Sequence, residues 1–388
     1  MTSKKLIRSL ITILIMLSFC ICSCGSKKGG SDDVTGLGDS ITGPVEDPSP
    51  KEAVYVDGEN GKYIGTGSQD DPVNSITLGL VMAREQGKTL CVAQGIYEVD
   101  SSYDTHLVMQ EGVSILGGYL NNNGEWTRDP SKYITTIQDT VYQDQDDDSI
   151  RAAIECSNIS NATVINGLVI IGGNNGKKTA AILCDGGAPV ISNCNIIAGN
   201  GEEAYGVYCS KSNATITDNQ ISGGNGVKIG VSVAIYCQYS NALISKNIIN
   251  GGDGRMFESN GINCSYSNPL ISDNTIDGGN ADDAIAIKCY GSSQPIIENN
   301  TLKSSGRIQR YGIFETLNGD NPVSVKGNVF YASIYKSGSS GFYHDSSSTG
   351  AVSDSDSNIY TISALNNMDD SGLNASGSVD NNSIYQDL

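Results

Sequence analysis

The feature that most constrains how this chain can fold is a short sequence unit that recurs along its middle part. Between Ala181 and Ala281 the unit occurs four times, as AILCDGGAPVISNCNIIAGNG, GVYCSKSNATITDNQISGGNG, AIYCQYSNALISKNIINGGDG and GINCSYSNPLISDNTIDGGNA. Self-similarity at a period of roughly 20 to 50 residues is typical of solenoids and other repeat architectures. The repeat therefore constrains the fold class before any single residue is considered.

Alignment of the copies shows columns of identical or similar residues. A cysteine recurs at intervals of 25 to 28 residues, and Thr316 occupies the next position of that column. An asparagine column lies two residues before a column of apolar residues. The cysteine column contains Cys156, Cys184, Cys209, Cys237, Cys264 and Cys289, and the asparagine column contains Asn219, Asn247, Asn274, Asn300 and Asn328.

Each unit contains short segments in which apolar and polar residues alternate, bounded by glycine pairs. This pattern indicates short strands separated by turns, and it leaves no room for a helix between them. Successive units would stack about 4.8 Å apart, the spacing of neighbouring strands. We predict an all-β fold, a right-handed parallel β-helix solenoid; the handedness follows from extending the strand-twist rule for parallel crossovers.

Stacking turns each column into a ladder of side chains. Buried asparagine amides can donate and accept hydrogen bonds along the stack and pair with the backbone of the turns. Cysteines in register on adjacent coils lie further apart than the usual Cβ separation of a disulfide, and one thiol per coil does not make a convergent metal site. We interpret the cysteines as a buried structural ladder, with occasional disulfides or a bound metal as the alternative.

The cysteine, isoleucine and asparagine ladders of residues 150 to 335 resemble those of right-handed parallel β-helix proteins of the pectin-lyase-like superfamily. This resemblance implies the architecture and no particular activity. The stretch from 54 to 137 resembles a bacterial domain of unknown function that begins many secreted β-helix proteins. The similarity lies in Gly65-Thr66, Pro72, Ser75-Ile76, Ala93-Gln94-Gly95-Ile96-Tyr97, Gly117-Gly118-Tyr119 and Trp126 with Arg128-Asp129-Pro130.

The ends of the chain indicate how it is organised. Residues 1–23 have the basic start and apolar run of a secretion signal, and Ile21-Cys22-Ser23-Cys24 resembles a bacterial lipobox that would be lipidated at Cys24. A plain cleaved signal is the alternative. Residues 24–52 read as a flexible tether, 53–150 as an N-terminal cap with one short helix and the first coils, 151–335 as the repeats, and 336–388 as closing coils or a partly disordered C-terminal cap. We expect an exported protein, attached to the bacterial cell envelope at the outer membrane or cell surface.

The charge of the chain excludes one class of partner. It carries 24 Lys and Arg against 43 Asp and Glu, for a formal charge of -19. This charge repels nucleic acid and anionic lipid surfaces, so we predict no nucleic-acid partner. A polyanionic substrate would require calcium, for which the acid run Asp144, Asp146, Asp147 and Asp148 is the candidate site; otherwise we predict no cofactor.

The candidate catalytic residues are Asp282 and Asp283. The sequence around them resembles the paired-aspartate motif of polygalacturonases, inverting hydrolases that share this fold. The resemblance is incomplete, because Asp277 falls in the same coil as Asp282, the family's Gly-His-Gly is absent, and Gln309 stands where the family has lysine. We therefore interpret this stretch as a polar turn in a variable loop, with Asp282 and Asp283 as a catalytic pair as the alternative.

Tyrosine forms the candidate binding surface. If the cysteines point inward, the residues before them point outward, which predicts an exposed stripe of tyrosines along the solenoid. Such a stripe can stack sugar rings or anchor a protein, although tyrosines packing only on one another are the alternative. The stripe consists of Tyr208, Tyr236, Tyr239, Tyr266 and Tyr290. We therefore expect noncatalytic binding of a polysaccharide or of another surface protein, with a polysaccharide lyase or a glycoside hydrolase as the alternative.

Overall fold

The computed structural model describes residues 52–99, 106–140, 149–174, 177–225, 230–253, 257–316, 324–332, 339–344, 353–354, 359–361 and 384–386. These residues all belong to one compact unit, Glu46–Leu388. Nearly all of their regular structure is β-strand, with one 11-residue helix. The predicted lipidation site Cys24, the tether and the acid run Asp144 to Asp148 lie outside the described residues.

Three sheets run along the solenoid, and each coil of the repeats contributes one parallel strand to each of them, whereas β6 near the start is antiparallel to β5. Sheet A contains β1 (Ala53–Val56), β2 (Thr89–Ala93), β5 (Ile115–Asn122), β6 (Glu125–Arg128), β9 (Val164–Asn166), β12 (Val190–Ser192), β15 (Thr215–Thr217), β18 (Leu243–Ser245), β21 (Leu270–Ser272), β24 (Ile296–Glu298), β27 (Ser324–Lys326) and β30 (Ser353–Asp354). Sheet B contains β3 (Gly95–Val99), β7 (Thr135–Asp139), β10 (Val169–Ile171), β13 (Asn195–Ile197), β16 (Gln220–Ser222), β19 (Ile248–Asn250), β22 (Thr275–Asp277), β25 (Thr301–Ser304), β28 (Val329–Ala332), β31 (Ile359–Thr361) and β32 (Ile384–Gln386). Sheet C contains β4 (Leu107–Val108), β8 (Ile150–Ser157), β11 (Lys178–Asp185), β14 (Glu203–Ser210), β17 (Val231–Gln238), β20 (Glu258–Ser265), β23 (Asp283–Tyr290), β26 (Gln309–Thr316) and β29 (Ser339–His344).

The solenoid begins with a cap built on helix α1 (Ile76–Gln86). Ser75 caps its N-terminus by accepting the amide of Leu78, and Gly87 ends it in the left-handed conformation. The buried side of α1 packs on β1 and β2 so closely that a Cβ at Gly79 would lie 2.4 Å from Val56. The helix therefore covers the apolar end of the first coil, which would otherwise face water. The predicted fold class, a parallel β-helix with a helical cap, is confirmed.

The core between the sheets is lined by the cysteine column and by isoleucines. The six cysteines of the column pair in register in sheet C, and none of them has exposed surface. All eight cysteines in the described part of the chain are free thiols. Burial raises the pKa of a further core cysteine, Cys194, to about 11. The thiolate, which is the reactive form, is disfavoured there.

One expected position of the cysteine column is wrong. Cys289 pairs with Glu315, and Thr316 pairs with Tyr290. The buried Ile313 lies opposite Ile287 and sets the register of β26, so the position two residues later falls on Glu315.

The asparagine column lies at the two-residue turns that join sheet A to sheet B. The Oδ1 atom of each asparagine accepts the backbone N–H at the equivalent position of the preceding coil, at 2.8–2.9 Å. Its Nδ2 donates at 2.9 Å to an isoleucine carbonyl of that same coil. The residue before each asparagine has a positive φ, as at Lys246 (57°) and Gly327 (64°). The amide column thus satisfies buried backbone that these tight turns leave without a strand partner.

No helix in the described residues is long and apolar enough to cross a membrane.

Candidate functional site

The outer face of sheet C is the broadest regular surface of the solenoid. Seven of its strands have eight residues, whereas most strands of sheets A and B have three. Since side chains alternate along a strand, each of these strands sends three or four side chains outward. We call the outward-facing residues of β14, β17, β20, β23 and β26 the sheet C face.

The first part of the sheet C face is a packed cluster of tyrosines. The rings of Tyr208 and Tyr236 stack at 4.9 Å, and Tyr205 packs edge-on against both, at 4.9 and 5.4 Å. Their hydroxyls are held by neighbouring polar side chains: Tyr205 donates to Glu203 at 2.6 Å and Tyr208 to Gln238 at 3.0 Å. Burial raises the pKa of all three phenols.

The prediction of one exposed tyrosine stripe is therefore wrong for Tyr208. Its exposed fraction is 9%, and Tyr236 is partly buried. Rings on adjacent strands stand within van der Waals contact, so they cover one another and bury most of their own surface. Tyr205, which was not among the predicted binding residues, also packs on these two rings and helps to bury them.

The second group of tyrosines lies where sheet C leads into the turn to sheet A, and two of its three members are exposed. Tyr239 and Tyr266 have exposed fractions of 56% and 48%, and their rings stack at 5.2 Å with an interplanar angle of 17°. Tyr290 meets Tyr266 edge-on at 5.9 Å. The ring of Tyr266 lies over the backbone of Gly291, where a Cβ would approach it to 2.7 Å. We call Tyr239, Tyr266 and Tyr290 the tyrosine platform.

Two platform residues adopt a backbone conformation that tyrosine rarely takes. Tyr239 and Tyr266 have φ values of 51° and 50°, in the left-handed region. Gly186 and Gly291 occupy the equivalent turns of other coils with positive φ and no such cost. Asn158 and Lys211 adopt the same conformation at this turn, with φ values of 53° and 48°, so the left-handed backbone is a property of the turn and not of the two tyrosines.

The middle of the sheet C face carries a cluster of charged and amide side chains. Lys288 donates to both oxygens of Glu258, at 2.8 and 2.7 Å, and Asn260 donates to Glu258 at 2.8 Å. Asp283 pairs with Glu258 in the strand register. Burial, followed by repulsion from Glu258 and Asp282, raises the pKa of Asp283, while Lys288 opposes this rise. We call Glu258, Asn260, Asp283 and Lys288 the carboxylate cluster.

The two candidate catalytic aspartates are separated by the structure. Asp283 opens β23 and joins the carboxylate cluster, whereas Asp282 lies just outside the strand and forms an ion pair of 3.1 Å with Arg307. The partner of Asp283 is thus Glu258, 25 residues earlier. Glu258 and Lys288 were not among the predicted site residues. The cysteine column indicates that Glu258 lies beside Asp283, because both stand six residues before a cysteine.

The part of the chain that the structure describes holds no cluster of three or more His, Cys, Asp or Glu side chains that could bind a metal ion. The weak calcium candidates Asp144, Asp146, Asp147 and Asp148 fall outside that part.

A small cavity of about 280 Å³ lies at the cap, between the loop before α1 and the tip of the β5–β6 hairpin. Its lining is mostly amide side chains, and none of the predicted site residues contributes to it. Asn121 uses its amide to hold the hairpin to the cap loop, because Nδ2 donates to Asp57 at 2.9 Å. The contacts of Asn121 thus show a structural role for at least this part of the lining.

Comparison with known proteins identifies the fold of the chain. A family model described as a right-handed β-helix region matches residues 119–330, more than half of the 388 residues. No curated protein sequence gives a significant match.

Among solved structures, the Dettilon tailspike protein is 12% identical at a TM-score of 0.36, covering 80% of this chain and 66% of that one. The periplasmic alginate epimerase AlgG, as a double mutant, is 11% identical at 0.39, covering 72% and 65%. The GH136 lacto-N-biosidase from Eubacterium ramulus is 11% identical at 0.31, covering 80% and 64%. The chain spans less than two thirds of the length of each of these three structures. Similarities at this level carry no argument about function.

Proposed function

This chain belongs to the right-handed β-helix family, and from that premise we propose that it is an exported envelope protein that binds glycan chains through the tyrosine platform. The observation that carries the proposal is the pair of exposed and mutually stacked rings of Tyr239 and Tyr266. A flat aromatic surface in water is suited to the C–H face of a sugar ring.

Polar groups next to the platform support a sugar ligand over a purely apolar one. Asn241 and Asn268 follow Tyr239 and Tyr266 by two residues, and both are exposed. Their Oδ1 atoms accept backbone amides of neighbouring coils, at 3.1 Å from Asn268 and 2.7 Å from Gln294. Their Nδ2 groups can donate to ligand hydroxyls. A ring surface flanked by amide donors is a typical arrangement for carbohydrate.

The envelope location in this proposal comes from the sequence. Lipidation of Cys24 would anchor the chain, and the Ser, Gly and Asp-rich residues 25–52 would hold the solenoid away from the lipid surface. Detection of a diacylglyceryl modification on the native chain, and its loss in Cys24→Ala, tests this part of the proposal.

The binding test compares three forms of the full chain on an array of neutral and acidic glycans. Tyr239→Ala combined with Tyr266→Ala should lower affinity about tenfold or more, because two stacking surfaces are lost. Tyr63→Ala is the matched control, since Tyr63 is 57% exposed but lies in the cap. Equal affinity of the double variant and the control, or binding of none of the glycans, would contradict the proposal.

A further inference from the structure

We propose that Glu258 and Asp283 form a catalytic pair that hydrolyses glycosidic bonds with retention of anomeric configuration. This activity adds to the proposed glycan binding and rests on it, because the platform would hold the chain that the pair cleaves.

Glu258 and Asp283 are register partners on the adjacent strands β20 and β23. Register partners on parallel strands point the same way and stand about 4.8 Å apart. Retaining glycosidases hold their two carboxyl groups about 5 Å apart, whereas inverting enzymes leave roughly 6.5 Å or more for a water molecule. The backbone spacing of this pair therefore matches the retaining arrangement more closely than the inverting one.

The surroundings assign a different role to each carboxylate. Glu258 receives two hydrogen bonds from Lys288 and one from Asn260, which stabilise the ionised form required of a nucleophile. Asp283 has no such donors among the described residues, and burial beside two other carboxylates raises its pKa. A carboxylic acid that keeps its proton is suited to protonate a leaving group.

Asn260 provides an independent indication that the cluster is completed by a ligand. Its side chain has no exposed surface, and Nδ2 is bound to Glu258, which determines the orientation of the amide. The Oδ1 atom finds no donor among the described residues. A buried acceptor without a partner is uncommon in proteins. A water molecule held beside Glu258, such as the attacking water, would satisfy it.

Aromatic residues flank the cluster on both sides along the stack. Tyr205, Tyr208 and Tyr236 precede it, while Tyr311 and Phe314 follow it, with Lys288 placed 6.0 Å from the Phe314 ring. Apolar walls around a few polar groups are typical of a binding groove. They also lower the local dielectric, which strengthens the charge interactions of the pair.

The reaction balances with water as the only co-reactant. In the first step Asp283 gives its proton to the glycosidic oxygen, Glu258 attacks the anomeric carbon, the carbon–oxygen bond breaks, and the alcohol leaves. In the second step the oxygen of a water molecule attacks that carbon, and the Asp283 carboxylate takes a proton from the same water molecule. The ester to Glu258 breaks, and the sugar is released with its original anomeric configuration.

The test uses a panel of 2,4-dinitrophenyl 2-deoxy-2-fluoroglycosides of common hexoses with the full chain. These reagents need no acid catalyst to lose dinitrophenolate, and the fluorine slows hydrolysis of the glycosyl ester. Mass spectrometry should find one fluoroglycosyl group on Glu258 of the natural chain and of Asp283→Asn. Glu258→Gln should give none. Glu298→Gln, which alters a carboxylate on sheet A, is the matched control and should be labelled like the natural chain.

Hydrolysis of unactivated glycans separates the two roles further. Asp283→Asn should lose roughly 100- to 10,000-fold in rate while keeping the label, because only the acid is removed. Absence of label from the natural chain across the panel, or equal labelling of Glu258→Gln, would overturn the catalytic proposal. Binding by the tyrosine platform is measured with different variants, so its failure would be seen separately.

Discussion

At the scale of single residues, the environment of a side chain decides its role more than its type. Asp282 and Asp283 are neighbours in the chain, yet one is neutralised by Arg307 and the other faces Glu258. Tyr208 and Tyr239 were expected in one stripe, yet the first is packed and the second is exposed. In both cases the difference lies in which residues of adjacent coils stand beside the side chain.

The raised pKa of Asp283 predicts how stability depends on pH. The folded state disfavours the ionised form of Asp283, so the charge of this side chain destabilises the fold at pH values above its unfolded pKa, near 3.8. At lower pH the carboxyl is protonated in both the folded and the unfolded state, and this effect disappears. Asp283→Asn should therefore raise the melting temperature at pH 7 and leave it unchanged near pH 3. The gain should stay below about 1 kcal/mol, since partly exposed charges are screened. Thermal unfolding followed by circular dichroism would reveal the opposite result if the charge were stabilising.

At the scale of secondary-structure elements, the turns hold the coils together as much as the strands do. The asparagine ladder joins each turn between sheets A and B to the turn of the preceding coil. A parallel exposed ladder of Asn213, Asn241 and Asn268 joins the turns between sheets C and A. Two ladders of one residue type thus differ in burial, which makes them a natural comparison.

Removal of one buried ladder asparagine should weaken the stack strongly. Asn247→Ala leaves the amide of Asn219 and the carbonyl of Ile216 buried without their partner, at a cost of about 2 kcal/mol or more. Asn241→Ala removes an exposed partner that water can replace, and should cost less than about 0.5 kcal/mol. Chemical denaturation of the two variants measures both values. Equal losses would contradict the role given to burial.

At the scale of the whole molecule, the open end of the solenoid has to be covered. Helix α1 lies on the first strands, and Gly79 permits its close approach to Val56 and Leu90. Without this cover the first coil would present apolar core and an unpaired edge. The cap is therefore part of the stability of the repeats and not an appended module.

Displacing the helix should destabilise the chain and promote self-association. Gly79→Val places a branched side chain where a Cβ already lies 2.4 Å from Val56, and should cost about 1 to 3 kcal/mol. Glu85→Val changes an exposed position of the same helix and serves as the control. Denaturation gives the stability, and light scattering gives the association. A Gly79→Val chain as stable and monomeric as the control would show that α1 does not cap the solenoid.

The sequence by itself determined the architecture, because a solenoid repeats one local rule. Periodic spacing of Cys, Ile and Asn specifies which residues face inward, and Ser75 and Gly87 delimit the helix. Such local regularities can be recognised without knowledge of distant contacts.

Tertiary structure alone decided the candidate sites. Glu258 meets Asp283 only through the register of two strands 25 residues apart, and Glu315 replaces Thr316 in the cysteine column for the same reason. Burial of Tyr208 and exposure of Tyr239 likewise depend on turn lengths and on the rings of neighbouring coils. A shift of one residue reverses the face of every side chain in a strand. The repeat thus determines the frame, and the exact register determines the chemistry displayed on it.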